Sequence, residues 1–310
     1  MYDLIIVGGG PAGAAAGVYA ARKRLKTLFL TNEWGGQSVV SPDIQNWIGT
    51  VSISGDELAK QLREHVESYK GEFLEIISPA KATSLSSSDE KIIVETEDGN
   101  AHEGKTLLIA TGADRRKLNV PGAAEFDQKG LTYCASCDGP LFADKDVVVI
   151  GGGNAGFETA AQLLAYTKSV TLLHNDSEFK ADEITVNKVL ENPKMKAFKN
   201  AETLEIIGDK FVTGLKYKDV ESAEENTLDV QGVFVEIGLV PSTNWIGDTI
   251  ELNERKQIVV DPRDQQTSHP RIWSAGDATN GLYHQNNIAA GDAIKALEDI
   301  YNFLHASKKK

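Results

Sequence analysis

The stretch "DLIIVGGGPAGAAAG", residues 3–17, decides the fold of this chain. Its apolar start predicts a buried strand, and the glycines lead at once into an alanine-rich helix that runs to about residue 24. A second apolar run at residues 27–30 completes a βαβ unit. In such a unit the glycines allow a tight turn, a close approach to a diphosphate and packing of the helix on the strand. The stretch therefore predicts a dinucleotide-binding site.

The same pattern returns in the second half of the chain. An apolar run at residues 147–150 leads into "GGGNAG" at residues 151–156, a helical stretch and a further strand at residues 169–173. For either copy, the alternative is a glycine-rich turn at an ordinary helix start. Because each copy follows a strand, opens a helix and lies in a βαβ unit of the right length, we predict two nucleotide sites.

The remaining segments predict how the domains are arranged. A β-rich region follows each glycine motif, and the chain ends on a strand, a Gly-Asp pair and a helix that look like part of the first domain. We predict an α/β fold with two Rossmann-like domains, each a three-layer ββα arrangement, the second inserted in the first. The predicted boundaries are residues 1–117 and 243–310 for the first domain and residues 118–242 for the inserted domain.

The net charge of −13 argues against several classes of protein. Lys plus Arg number 32 against 45 Asp plus Glu, whereas a nucleic-acid partner needs a concentrated basic face. We predict that the one basic run, residues 308–310, is a solvated tail. The apolar run near the N-terminus is too short for a signal peptide or a membrane span, so we expect no membrane association and a cytoplasmic location.

The two cysteines of the chain, Cys134 and Cys137, are separated by two residues. A reducing cytosol disfavours structural disulfides, which leaves a redox couple, a metal site or a chance pair of buried thiols. A structural zinc site needs four ligands, and the six histidines show no paired metal spacing. The spacing therefore favours a dithiol/disulfide couple and no metal. Asp138 is the candidate proton donor for thiol exchange, with a turn residue before Gly139 as the alternative reading.

The end of the second strand in each copy indicates which nucleotide is bound. Glu33 follows the first of these strands and can accept hydrogen bonds from ribose hydroxyls. The corresponding strand of the second copy ends in His174, Asn175 and Asp176, with no arginine nearby for a 2′-phosphate. A carboxylate repels a phosphate, which favours NADH over NADPH unless Asp176 is an exposed loop residue without a role.

Taken together, the motifs resemble the low-molecular-weight thioredoxin reductase family over the whole chain. They follow its order and spacing: "GGGPAG" at 8–13, "WGGQ" at 34–37, "ATG" at 110–112, "CASCDG" at 134–139, "GGGNAG" at 151–156 and "AGD" at 275–277. Within the family, "YCASCDGPLF" and "HNDSEFKAD" are most similar to the reductase part of the alkyl hydroperoxide reductase flavoprotein subunit. The resemblance implies a homodimeric disulfide reductase that passes electrons from NAD(P)H through FAD and the cysteine pair to thioredoxin or a thioredoxin- or glutaredoxin-like protein.

The resemblance also implies roles for individual residues. Cys137 would be the thiol nearest the flavin, Cys134 would exchange with the substrate disulfide, and Asp138 would supply the proton. The residues implied to bind FAD are Gly8, Gly10, Pro11, Ala12, Gly13, Glu33, Trp34, Gly36, Gln37, Asn46, Ala110, Thr111, Gly112, Gly276, Asp277, His284 and Gln285. The residues implied to bind the pyridine nucleotide are Gly151, Gly153, Asn154, Ala155, Gly156, Glu158, His174, Asn175, Asp176, Ile237 and Gly238.

The chain departs from the family pattern at a few positions. NADPH-dependent members carry arginines where this chain has Asn175, Asp176 and Lys180, and His284 replaces a residue that is usually basic. Three other functions remain alternatives to the disulfide reductase. They are a flavoprotein that takes electrons from ferredoxin, a flavin-dependent oxidase with incidental cysteines, and a non-catalytic redox-sensing module.

Overall fold

The computed structural model describes residues 1–41 and 44–306, and the basic run at residues 308–310 lies outside them. Contacts between residues divide the chain into two compact units. Unit 2 consists of Ser41–Asn46 and Arg115–Leu239, and unit 1 contains the other described residues. No helix in the described part of the chain is long and apolar enough to cross a membrane.

The chain combines βαβ units with runs of consecutive strands. In chain order the strands are β1 (Tyr2–Gly9), β2 (Thr27–Trp34), β3 (Leu74–Ile77), β4 (Ala82–Ser87), β5 (Ile92–Thr96), β6 (Ala101–Ile109), β7 (Ala113–Arg115), β8 (Leu131–Thr132), β9 (Asp146–Ile150), β10 (Ser169–Leu173), β11 (Met195–Phe198), β12 (Ala201–Gly208), β13 (Val212–Asp219), β14 (Glu225–Asp229), β15 (Gly232–Val235), β16 (Leu239–Pro241) and β17 (Ile272–Ser274). The α-helices are α1 (Pro11–Arg22), α2 (Gly55–Glu67), α3 (Ala135–Asp138), α4 (Asn154–Leu163), α5 (Glu183–Leu190) and α6 (Asn286–Ala306).

Unit 1 is built on a seven-stranded sheet. Strands β3, β2, β1, β6 and β17 pair in this order and are parallel. The first half of β6 pairs instead with β5, and β5 with β4, both in antiparallel orientation. The long strand β6 therefore belongs to a parallel sheet at one end and to an antiparallel meander at the other.

Both faces of the parallel strands in unit 1 are covered. On one face, fully buried alanines such as Ala16 on α1 and Ala293 on α6 allow these helices to pack closely against each other. On the other face, Trp245, Ile246 and Ile258 form a second core with the meander. The carboxyl ends of β1, β2 and β6 meet at one edge of the sheet, where the first glycine motif lies.

Unit 2, like unit 1, has a parallel sheet with helices on one face and antiparallel strands on the other. Its parallel sheet has the order β11, β10, β9, β15, β8, and β12, β13 and β14 form a separate antiparallel sheet. Buried residues such as Val148 and Leu215 fill the space between the two sheets. Val149 and Phe157 pack in the core that α4 and α5 form on the other face of the parallel sheet. The predicted fold class, two α/β domains of Rossmann type, is confirmed.

Two short strands, β7 and β16, connect the units as a two-stranded sheet. The Arg116 N–H donates to Gly238 O (3.0 Å), and the Ser242 N–H donates to Gly112 O (3.0 Å). Gly112 thus pairs with Ser242 and Arg116 with Gly238, so β7 and β16 are antiparallel. The predicted domain boundaries lie just beyond these strands and stay a prediction.

The structure corrects the predicted end of the second strand. β2 runs on to Trp34, so Glu33 lies within the strand instead of after it. The β1–β2 pairing shifts register at its carboxyl end, and the Trp34 ring stacks on Phe29 with 5.3 Å between ring centroids. The aromatic contact and the altered register prolong the strand past the apolar run that predicted it.

Residues 225–235 hold two strands, β14 and β15, which belong to different sheets. The Val230 N–H donates to Thr213 O (3.2 Å) in the antiparallel sheet. The next amide, that of Gln231, donates instead to Asp146 O (2.9 Å) beside the parallel sheet. The chain therefore changes sheets between β14 and β15.

Candidate active site

The first glycine motif forms a turn that only glycine fits. Gly8 has φ +124°, and a Cβ on it would lie 2.1 Å from Ala110 O. A Cβ on Gly13 would lie 1.8 Å from Gly8 O, so α1 starts in direct contact with β1. Gly10 is the N-cap of α1 and Pro11 its first residue. The helix thus begins without a capping side chain, as a diphosphate site at a helix N-terminus requires.

A cavity of about 510 Å³ opens beside this turn, within unit 1. Most residues predicted to bind FAD line it: Gly8, Gly10, Pro11, Ala12, Glu33, Gly36, Gln37, Ala110, Thr111, Gly112, Gly276 and Asp277. The lining also includes polar residues that the sequence did not indicate, namely Thr31, Asn32, Ser38, Lys81, Asp114, Ser242, Asn244 and Asn286. Two of these could have been predicted from their neighbours in sequence. Asn32 directly precedes Glu33, and Asn286 directly follows His284 and Gln285.

The residues of this cavity fit a flavin dinucleotide. The turn offers backbone amides at a helix start and no Cβ in the way of a diphosphate. The carboxylates of Glu33 and Asp277 can accept hydrogen bonds from hydroxyl groups of a ribose and a ribityl chain. The Thr111 hydroxyl donates to Ser242 O (2.9 Å) and so holds one wall of the cavity in place.

Five residues predicted to bind FAD do not line the cavity. Gly13 packs against the turn from behind, and Trp34 stacks on Phe29. The remaining three are Asn46, which groups with unit 2, and His284 and Gln285 near the start of α6. Their assignment to FAD stays a prediction.

His284 is held by the loop before α6. Its Nε2 donates to Gly281 O (3.0 Å), and its Nδ1 lies 3.7 Å from a carboxylate oxygen of Asp277. The Nδ1 atom is buried and has no hydrogen-bond partner among the described atoms. With the hydrogen on Nε2, Nδ1 of His284 can accept a hydrogen bond beside Asp277, one of the residues that line the cavity.

The second glycine motif repeats the first in detail. Gly151 has φ +125°, and a Cβ on it would lie 2.2 Å from Glu236 O. A Cβ on Gly156 would lie 1.8 Å from Gly151 O, and Gly153 caps α4 with open space around it. The exposed residues of the first turns of α4 are Asn154, Ala155 and Glu158. They share one exposed face of the helix, and a Cβ on Gly151 would lie 3.5 Å from the amide nitrogen of Ile237, which with Gly238 follows β15.

The loop after β10 wraps around this second turn. The buried His174 accepts the Gly152 N–H at Nδ1 (3.2 Å), and its Nε2 lies 2.9 Å from Glu178 O. Since Nδ1 is an acceptor, the ring is the neutral tautomer with its hydrogen on Nε2. The Lys180 N–H donates to Gly152 O (2.8 Å), which closes the loop on the turn. His174 is thus a structural part of the turn.

Asp176 lies near His174, with 4.0 Å between its carboxylate and Nε2. It forms an ion pair with Lys180 (2.5 Å), and this ammonium group lowers the pKa of the Asp176 carboxyl. Asn175 is exposed, and Asn154 accepts the Asp182 N–H (2.8 Å). The negative charge of Asp176 is therefore partly offset, which the sequence reasoning about a 2′-phosphate did not consider.

Cys134 and Cys137 form a disulfide at the short helix α3, with their Cα atoms 5.3 Å apart. Both cysteines are partly exposed. The Cys137 N–H donates to Cys134 Sγ (3.2 Å), so the sulfur of Cys134 receives an amide donor. A thiolate at Cys134 would be stabilised by this donor.

Asp138 is buried directly behind the disulfide, with 5% of its surface exposed. The Thr132 hydroxyl donates to the Asp138 carboxylate, and the same hydroxyl accepts the Cys134 N–H (3.3 Å). Thr132 was missed by the sequence reasoning, although a hydroxyl two residues before a redox cysteine is a visible signal. The arrangement places a buried acid, a hydroxyl and a disulfide within one hydrogen-bonded group.

One further carboxylate, Glu236, lies at the second glycine turn and was also missed. Its side chain accepts the Thr159 hydroxyl of α4 (2.9 Å). Burial raises the pKa of the Glu236 carboxyl from 4.5 to about 7. A group that titrates near neutral pH therefore lies at the base of the predicted nucleotide site.

Known proteins with similar sequences point to one family. Residues 2–293 match the family described as pyridine nucleotide-disulphide oxidoreductase. Over 303 residues, 98% of this chain, the sequence is 40% identical to an alkyl hydroperoxide reductase subunit of Staphylococcus aureus. It is 41% identical, over the same share of the chain, to a Bacillus subtilis protein named NADH dehydrogenase. The chain spans 59% and 58% of the length of these two relatives.

Solved structures share the fold over the whole chain. The thioredoxin reductase of Streptococcus pyogenes has a TM-score of 0.88 and 33% identity, with 99% of both chains covered. The thioredoxin reductase of Giardia duodenalis has a TM-score of 0.91 and 29% identity, with 98% of both chains covered. The two glycine turns and the Cys-x-x-Cys-Asp segment are thus explained together: the chain is an oxidoreductase that belongs to the pyridine nucleotide-disulphide oxidoreductase family and has the fold of low-molecular-weight thioredoxin reductases.

Proposed function

We propose that this chain is a flavin-dependent disulfide reductase that passes electrons from NADH to the disulfide of thioredoxin or a thioredoxin- or glutaredoxin-like protein. Membership of the family implies FAD and a pyridine nucleotide as cofactors. The observation that carries the proposal is the Cys134–Cys137 disulfide with the buried Asp138 behind it, in the unit that has the second dinucleotide turn.

FAD, when bound, accepts a hydride from the pyridine nucleotide and supplies two electrons to a disulfide. The cavity in unit 1 supports FAD binding through its glycine turn and the carboxylates of Glu33 and Asp277. The second turn supports a pyridine nucleotide at Gly151 and the open face of α4. We propose that residues 1–117 and 243–310 form the FAD domain and residues 118–242 the pyridine nucleotide domain.

The cysteine pair performs the exchange with the protein substrate. One NADH and one proton convert the Cys134–Cys137 disulfide into two thiols, and these reduce one substrate disulfide while their own disulfide forms again. The amide donor at Cys134 Sγ supports Cys134 as the attacking thiolate. Asp138 holds the proton that the leaving sulfur needs, since it is buried beside the pair and fixed by Thr132.

NADH is the proposed electron donor because the loop after β10 has a charged carboxylate and no arginine. A 2′-phosphate near Asp176 would be repelled by its carboxylate, although Lys180 offsets part of this negative charge. We therefore expect a preference for NADH of about twofold to fivefold in kcat/KM. Asp176→Asn should improve the use of NADPH, and Glu178→Gln in the same loop is the matched control.

The test is an anaerobic titration of the purified yellow protein with NADH and, separately, with NADPH. We expect NADH to bleach the flavin and the reduced protein to reduce thioredoxin and DTNB. If the flavin is bleached by reduced ferredoxin but by neither NADH nor NADPH, the ferredoxin-fed alternative is favoured. Turnover that is unchanged in Cys134→Ser would indicate an oxidase, and tight FAD binding without DTNB turnover would indicate a redox-sensing module.

A further inference from the structure

The two glycine turns are built alike and differ in one partly buried residue. Directly after β6 in unit 1 and after β15 in unit 2, a backbone carbonyl lies against the first glycine of the turn. It belongs to Ala110 in unit 1, 2.1 Å from a Cβ on Gly8, and to Glu236 in unit 2, 2.2 Å from a Cβ on Gly151. Glu236 therefore occupies the position that an alanine has in the first copy. A carboxylate at this place is unnecessary for the turn itself.

The side chain of Glu236 is oriented by α4. Its Oε1 accepts the Thr159 hydroxyl (2.9 Å), and Thr159 is buried one turn beyond the start of the helix. Two charged groups face the carboxyl, Glu158 on α4 and Arg115 on β7. Burial and Glu158 raise the pKa of Glu236, while Arg115 and the Thr159 hydrogen bond lower it. Burial dominates, so near pH 7 the carboxyl is divided between its charged and neutral forms.

Glu236 also lies where a bound nucleotide would affect it. Glu158, one of the two charged groups that face it, is exposed on one face of α4, the helix that Gly153 caps. A dinucleotide on this face would bring two negatively charged phosphates and remove water from the turn. Both changes disfavour a carboxylate. A neutral carboxyl, in contrast, keeps one oxygen as an acceptor for Thr159 and gains an O–H donor.

We propose that Glu236 binds the reduced pyridine nucleotide in its protonated form, so that nucleotide binding takes up a proton at this residue. The inference rests on the proposed function, because it assumes that the second turn holds a pyridine nucleotide. The proton comes from solvent and goes to the Glu236 carboxylate, and no bond of the nucleotide changes. Glu236 is thus a binding residue that makes the affinity for the nucleotide depend on pH.

Isothermal titration calorimetry of the oxidised, FAD-loaded protein tests the proposal. The probe is 1,4,5,6-tetrahydro-NAD, which has the uncharged ring of NADH and transfers no hydride. Titrations at pH 7 in buffers of different ionisation enthalpy give the number of protons taken up. We expect about half a proton, because a group with a pKa of about 7 is half protonated there before binding. We also expect the Kd to rise about threefold to tenfold between pH 6.5 and 8.

Two variants separate this role from a structural one. Glu236→Gln keeps an acceptor for Thr159 and should bind the probe with no proton uptake and with a Kd that is independent of pH. Glu236→Ala, which introduces the residue of the first copy, should behave likewise. Glu202→Gln removes an exposed carboxylate of the same unit and should keep the wild-type uptake.

The outcomes distinguish the inference from the proposed function. Binding by the wild type without proton uptake overturns the role of Glu236 alone, as does uptake that persists in both Glu236 variants. A yellow wild-type protein that binds neither the probe nor NADH overturns the proposed function, and this inference with it.

Discussion

Among single residues, Thr132 links the parts of the redox centre. Its hydroxyl donates to the Asp138 carboxylate and accepts the Cys134 N–H. Thr132 and Asp138 are both buried, so water does not readily replace this donor if it is lost. The hydroxyl therefore stabilises the charged form of Asp138 and fixes its position beside the disulfide.

The Thr132→Val substitution, which keeps the side-chain shape but removes the hydroxyl, should disfavour the charged carboxylate of Asp138. We expect the pH profile of thiol exchange to move up by about one to two pH units. A lost hydrogen bond to a charged group costs about 1.5–3 kcal/mol, and one pH unit corresponds to about 1.4 kcal/mol. The measurement is DTNB reduction by the NADH-reduced protein from about pH 5.5 to 9. Thr132→Ser should keep the wild-type profile, and an unchanged profile in Thr132→Val contradicts this role.

Glu236 should also make the stability of the protein depend on pH. In the folded protein its pKa is raised from 4.5 to about 7, so the folded state binds more protons than the unfolded state between these values. Its contribution to stability is present below about pH 4.5 and is lost as the pH rises through 7. The full displacement corresponds to at most about 3 kcal/mol.

We therefore expect Glu236→Gln to raise the free energy of unfolding relative to wild type more at pH 8 than at pH 5. Urea unfolding of both proteins at the two pH values, with FAD in excess, measures the difference. A gain of about 1–3 kcal/mol at pH 8 that shrinks at pH 5 fits the displaced pKa. An equal effect at both pH values means that the carboxyl does not titrate in this range.

At the scale of elements, the contact between strand and helix at each glycine turn determines what the unit can bind. A Cβ on Gly13 or on Gly156 would lie 1.8 Å from the carbonyl of the glycine that begins the turn. Such an overlap cannot be relieved by a side-chain rotation, because the backbone fixes the position of Cβ and the carbonyl oxygen belongs to the backbone. The helix has to move away from its strand, and the amides at its N-terminus move with it.

Alanine at either position should abolish one cofactor site and leave the other. We expect Gly13→Ala to yield protein without bound FAD, and Gly156→Ala to yield yellow protein whose flavin NADH no longer bleaches. Absorbance at about 450 nm and the anaerobic NADH titration measure the two outcomes. Gly291→Ala is the matched control, since a Cβ there meets no atom within 4 Å in helix α6. Loss of FAD in Gly156→Ala would contradict the independence of the two sites.

Both βαβ units could be predicted because their signals are local. Gly8 and Gly151 have positive φ and lie against the backbone that follows a neighbouring strand. Only glycine meets both requirements, so the turn is visible in the sequence as a glycine. The disulfide could be predicted for the same reason, since Cys134 and Cys137 are close in sequence as well as in space. Such features depend on a few neighbouring residues, and a short stretch of chain specifies them.

The environment of buried side chains could not be predicted in this way. Glu236 and its partner Thr159 are 77 positions apart, and the pKa of the carboxyl depends on burial that the whole unit creates. Asp176 and Lys180 are four residues apart, but the segment is a loop, where helical periodicity does not indicate a contact. Long-range packing therefore decides the electrostatics of the second site, while local geometry decides its backbone.

At the scale of the whole molecule, the chain leaves and re-enters unit 1 at neighbouring points. The hydrogen bond between Ser242 and Gly112 lies on the unit 1 side of the connection, and that between Arg116 and Gly238 lies on the unit 2 side. The ends of unit 1 at this connection are thus already paired as antiparallel strands. A short hairpin turn could join them without strain on the sheet.

This pairing predicts that unit 1 folds and binds FAD when the insertion is removed. Replacing residues 117–237 by Asn-Gly keeps the hydrogen-bonded pair Arg116 and Gly238 next to the turn. The product should be a yellow protein, because the cavity is lined entirely by residues of unit 1. We expect its Kd for FAD to lie within about tenfold of the wild-type value, and we expect no bleaching by NADH and no DTNB reduction, since the second turn and the cysteine pair are gone. Fluorescence titration with FAD and circular dichroism measure binding and folding. A folded but colourless protein would mean that unit 2 contributes to the FAD site, whereas bleaching by NADH would locate the nucleotide site in unit 1.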